Sequence, residues 1–158
     1  MKLALLLLAS CAAPLTVAQQ KAHFEPQLIV GIGSVSGIKN AKLAENTANN
    51  RARADVQPLL LDYVNALVKA YMDQATKDPA VEQYVGLFMK GLDWHGSNKI
   101  TVVATEVKDG VTYARAELKI ADMLESLRTD KSQYNIEDPA KTFFLLKGEA
   151  IFNALPPR

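Results

Sequence analysis

At 158 residues the chain has room for one ordinary domain and too little length for two well-cored ones. Its 49% hydrophobic and 22% charged residues exclude wholesale disorder. The net charge of +1, zero once Lys2 is set aside, excludes the concentrated positive field that non-specific nucleic-acid binding requires. The single cysteine, Cys11, excludes an intrachain disulfide and a Cys-x-x-Cys redox pair.

The first 18 residues, MKLALLLLASCAAPLTVA, have the order of an export signal. Lys2 is a short positive start, Leu3 to Ala13 an apolar run, and Pro14 a helix breaker. Thr16-Val17-Ala18 puts small residues three and one before a cut after Ala18. The stretch is shorter than the roughly 20 apolar residues of a transmembrane helix. A second cut competes: Leu8-Ala9-Ser10-Cys11 has the lipobox form, which would make Cys11 a lipidated N-terminus. The apolar run ahead of Cys11 is short for that route, which favours the cut after Ala18. The expected organisation is a signal peptide over 1–18, a polar linker over 19–26 and one domain over 27–158.

Gln27 to Ser36 reads as a strand, β-branched and carrying Gly31 and Gly33 where another backbone must come close. Asn40 is the expected N-cap of a long helix to about Lys77, with Ala44, Ala48, Ala52, Val56, Leu59, Tyr63, Leu67 and Ala70 on one face. Small residues at its start suit close contact with a sheet. Pro58 predicts a kink or break, because it lacks an N–H and crowds the Ala54 carbonyl. Asp78-Pro79 starts a second helix with Val81, Val85, Phe88 and Leu92 inward, and Gly91 is expected to stop it.

Lys99 to Ile120 reads as a hairpin about Asp109-Gly110. That turn sets the register: Val107 with Thr112, Thr105 with Ala114, Val103 with Ala116 and Thr101 with Leu118, on the buried face. Ile100, Val102 and Ala104 fall on the other face, with Glu106, Tyr113, Arg115, Glu117 and Lys119. A short helix over 121–128, a polar loop to Glu137 and a last helix from Asp138-Pro139 to Leu155 complete the chain. The fold class is α+β: a three-stranded antiparallel sheet packed by a long kinked helix and further helices.

Catalytic patterns are scarce. Gly31-x-Gly33 lacks the third glycine of a dinucleotide fingerprint, since position 36 is Ser36, and no parallel βαβ unit follows. His23 and His95 read as solvated loop histidines without metal-ligand spacing. Neither a nucleophile elbow nor a P-loop occurs. The expectation is a non-enzymatic protein without metal or cofactor. Arg51 and Asp55 can pair along the helix, and Arg51 with Arg53 forms a candidate recognition stripe.

The strand Ile29-Val30-Gly31-Ile32-Gly33-Ser34, leading into Ala44, Ala48 and Arg51-Ala52-Arg53-Ala54, resembles the LPP20-like lipoprotein domain of bacterial envelope lipoproteins, which is related to a domain of flagellar accessory proteins. The likeness covers about Gln27 to Ile120. It implies a dodecin-like layout and a non-enzymatic structural or interaction module, located in the periplasm or held at the outer membrane through Cys11. Envelope proteins or outer-membrane components would be its partners, and a homo-oligomer stays open. The alternative is a periplasmic carrier of a flavin- or lipid-like ligand, motivated by that layout and by Trp94 and Tyr113 near a half-apolar sheet face. A hydrolase with a scattered site ranks last.

Overall fold

The computed structural model describes residues 16–75 and 79–157. A single 3-10 turn, Val17–Gln19, precedes strand β1 (His23–Glu25) and strand β2 (Leu28–Ser36). Helix α1 (Ala41–Gln74) follows, then one helical turn, α2 (Pro79–Glu82), and helix α3 (Val85–Ser97). Strands β3 (Thr101–Lys108) and β4 (Val111–Lys119) form the hairpin, and helices α4 (Ile120–Thr129) and α5 (Ala140–Asn153) close the chain.

The fold is α+β, but its antiparallel sheet has four strands rather than three, in the order β1-β2-β4-β3. The extra strand lies in the stretch expected to be a linker. β1 is only three residues long, too short for alternation to reveal, and it pairs with Leu28 to Val30. β4 alternates strictly, with Thr112, Ala114, Ala116 and Leu118 buried. Asp109 and Gly110 both take positive φ, 52° and 75°, as a two-residue hairpin turn demands.

The hairpin register holds from the turn as far as Ala104 and Arg115, then slips. A bulge between Val102 and Ala104 pairs Val102 with Ala116, and Thr101 with Glu117 rather than Leu118. One extra residue reverses the facing of everything before it. Ile100 and Val102, expected outward, therefore join the core. Thr101 and Val103 are exposed instead of buried, whereas Thr105 and Val107 keep their expected pairing and are exposed because β3 is the edge of the sheet.

α1 lies across one face of the sheet, against β2 and β4. At roughly 1.5 Å per residue it runs about 50 Å, well beyond a strand of some 30 Å. The overhanging half gathers α3 and α5, and α4 packs between those two. Asn40 caps α1 by accepting the Leu43 N–H. Its expected small-then-large face is present, running from Ala44, Ala48 and Ala52 to Leu60, Tyr63, Leu67 and Tyr71. The helix is not broken at Pro58. Pro58 and Ala54 are both exposed, so the carbonyl that loses its partner is open to water. Gly91 does not stop the second helix either: α3 runs through it to Ser97.

Candidate functional site

The Gly-x-Gly of β2 serves close packing. A Cβ on Gly33 would stand 2.1 Å from the Ala48 carbonyl oxygen, and one on Gly31 2.4 Å from that of Ala52. The α1 backbone therefore rests directly on the strand. Beyond β1 the edge of β2 is open, and α1 closes it with side chains. Asp55 Oδ2 accepts the Ile32 N–H at 3.0 Å, and Arg51 Nη1 donates to the Ser34 carbonyl at 2.6 Å. Arg53 Nη1 donates to the Ile100 carbonyl at 3.2 Å. The candidate stripe is thus turned towards the protein's own backbone, and Arg51 and Asp55 hold the strand edge rather than each other.

Tyr113 lies on the sheet face opposite α1, across from Glu106 and Ser34. Arg115 is two residues on, so it shares that face. It is bracketed by Glu117 at 2.7 Å, Glu25 at 3.0 Å and Gln20 Oε1 at 2.6 Å. Burial alone would lower the Arg115 pKa, but Glu117 and Glu25 outweigh it and raise the pKa. His23 of β1 completes this network with Nε2 2.8 Å from Glu25 Oε1.

Trp94 and His95 lie elsewhere, in the last turns of α3. His95 is fully buried rather than solvated. Its Nδ1 is 3.0 Å from Ser126 Oγ on α4, and its Nε2 faces Asp130 Oδ2 at 3.3 Å. The second contact falls short of an aligned hydrogen bond, since His95 Nε2 has no partner by geometry among the described residues. Burial lowers the His95 pKa, against the pull of Asp130. The Asp130 carboxyl is held low: burial would raise it, but it accepts the N–H and hydroxyl of Ser132 and lies beside His95. Serine, histidine and aspartate thus stand in contact, but around an imidazole that solvent does not reach. As arranged, they clamp α3, α4 and the start of the 130–139 loop together.

That loop also walls a cavity. Trp94 stacks on Tyr134 with centroids 5.0 Å apart and planes at 16°. Gly91 brings the loop close, since a Cβ there would stand 2.9 Å from both the Tyr134 carbonyl oxygen and Ile136 Cγ1. Between the loop, α3 and the end of α1 opens a cavity of about 720 Å³, bordered by Tyr71, Tyr84, Phe88, Tyr134, Ile136 and Glu137 among others. Tyr84 and Leu87 are exposed at 46% and 61%, giving the cavity an apolar mouth. The volume falls in the range of small-molecule sites.

Of the four predicted recognition residues, only Trp94 approaches this cavity, and it does so through Tyr134. Arg51, Arg53 and Tyr113 are spread over α1 and the far sheet face. The cavity escaped the sequence because its walls come from α1, α3 and a loop some 60 residues away from α1. His95 had left a trace: Phe88, Leu92 and His95 continue one helical face at four- and three-residue spacing.

Cys11 lies outside the described residues, and Ala18 lies within the 3-10 turn. No group of histidine, cysteine, aspartate and glutamate suited to a metal ion occurs among the described residues, and no described helix is long and apolar enough to cross a membrane. Compared with models of known protein families the chain matches none, and no curated protein matches it.

Proposed function

We propose that this is an exported cell-envelope protein that works by contact, as an interaction module in the periplasm or at the outer membrane. Export is supported by the order of Lys2, the Leu3–Ala13 apolar run, Pro14 and small residues at Thr16 and Ala18. The resemblance of the Ile29–Ser34 strand and the Arg51–Ala54 helix to LPP20-like domains supports the same location. On the dodecin-like layout it implies, the long helix across an antiparallel sheet is the shared core, with β1 an addition.

The observation that carries binding is the aromatic cavity with Tyr84 and Leu87 at its mouth. Exposed apolar groups at the rim of a concavity suit the side chains of an envelope partner. A second reading, carriage of a flavin- or lipid-like molecule, is favoured by the cavity's volume. Fractionation of cells making the untagged chain tests the location: recovery in the cytosol at full length sinks export. Titrating the purified protein with riboflavin and with short-chain phospholipid, while following Trp94 fluorescence, tests carriage. Stoichiometric saturation that Phe88→Ala abolishes supports the carrier, and a flat titration leaves the interaction module.

A further inference from the structure

Residues 16–20 form a strap over the sheet face opposite α1. The Val17–Gln19 turn lies against β3 and β4. Val17 is 8% exposed, buried but less completely than the residues of the main core. The Ala18 N–H donates to Glu106 Oε1 of β3 at 2.7 Å, and Gln20 Oε1 accepts from Arg115 Nη1 of β4 at 2.6 Å. Three anchors within four residues, one apolar and two polar, thus seat the chain on the hairpin. A cut after Ala18 would remove two of them. Glu106 would lose its donor, the surface under Val17 would be uncovered, and Gln20 would be left as the second residue of a frayed terminus.

We infer that the strap belongs to the mature protein, so the export signal is cut upstream of Thr16 and the apparent site at Thr16-Val17-Ala18 is not used. The inference rests on the export reading above, and it assigns those small residues to packing rather than to a peptidase. The unit that works in the envelope then keeps Val17 to Gln20 seated on the hairpin, on the sheet face opposite α1.

Intact mass of the protein recovered from the cell envelope tests the cut. An N-terminus between Cys11 and Thr16, with or without lipid mass on Cys11, supports the inference. One at Gln19 overturns it while leaving export standing. A full-length chain starting at Met1 overturns export and the inferred cut together. A second measurement does not depend on mass. Val17→Asp changes the mature protein only if Val17 is retained, and a carboxylate would then replace a buried apolar side chain. The expected result is a Tm lower by roughly 5 °C or more for the recovered variant. An unchanged Tm overturns the inference, because the altered residue would have been discarded.

Discussion

The contact between β2 and α1 and the contact between α3 and the 130–139 loop are both made by glycines, yet they are built differently. At the first, Gly31 and Gly33 let two backbones touch, and the polar side chains nearby are spent on open backbone groups: Asp55 on Ile32, Arg51 on Ser34. At the second, Gly91 admits a loop whose Tyr134 and Ile136 border a cavity, and a buried histidine stands beside a carboxylate without an aligned hydrogen bond. The first region is a scaffold with its hydrogen bonds closed. The second keeps space and a titratable group, the features from which binding and response are made.

The sharpest way to break the comparison is to fill the two glycines. In Gly33→Ala the new methyl meets backbone atoms, the Ala48 carbonyl oxygen at 2.1 Å and the Ala52 nitrogen at 2.3 Å. Neither can yield without lifting α1 from the sheet. The expected loss is about 4 kcal/mol or more, read as failure to give a cooperative melt. Gly91→Ala meets the Ile136 side chain as well as the Tyr134 carbonyl oxygen, both at 2.9 Å, and the loop can shift. The expected loss is about 1–3 kcal/mol. It comes with a change in Trp94 emission as the Tyr134 stack loosens, and Trp94 is the chain's single tryptophan. Equal losses from the two changes would dissolve the distinction between scaffold and loop.

Much of the scaffold was legible because its rules are local. A period of two marks β4, Asp109-Gly110 marks the hairpin, and alanines at helical spacing mark where α1 meets the sheet. The bulge at Val103 was hidden because a valine continues the alternation whether or not it is the extra residue. β1 was hidden by being three residues long. Gly91 looked like a helix stop because a glycine that ends a helix and one that admits a neighbour are the same letter. A stop at Gly91 puts His95 in a loop, although its spacing from Leu92 fits the buried face. The cavity had no local signature, since Tyr71, Phe88 and Tyr134 meet only through tertiary packing.

The loop region also differs in its response to acid. His95 is held below the ordinary histidine value of 6.5, by burial first, with Lys141 and Lys99 adding to the shift and Asp130 opposing it. A group with a depressed folded pKa favours the folded state while neutral. Its contribution is therefore present above about pH 6.5 and is lost as pH falls towards the folded pKa. The Tm is expected to decline as pH is lowered below about 6.5, with Trp94 emission of the folded protein changing only at lower pH, where His95 itself protonates. His95→Gln should flatten that dependence while leaving the acid limb of the carboxylates, which starts lower. A wild-type Tm that is level between pH 7 and pH 5 would show that His95 titrates alike in both states.

The smallest expected effect tests how tightly the junction of the two regions is closed. Tyr63 stands on α1 where α5 crosses it. Its ring meets Phe152 edge-on at 5.3 Å, and a Cβ on Gly148 would stand 3.0 Å from its hydroxyl oxygen. That hydroxyl has no hydrogen-bond partner among the described residues, and burial, then the nearby Glu149 charge, raises its pKa strongly. A hydroxyl kept from water without a partner costs about 1–3 kcal/mol, while the ring supplies the packing. Tyr63→Phe keeps the ring and removes the cost, so it should be neutral or stabilising by up to about 1 kcal/mol in a urea melt. A destabilisation of that size would mean that the hydroxyl is satisfied in solution. The junction would then belong with the loop region, which keeps open space, rather than with the closed core.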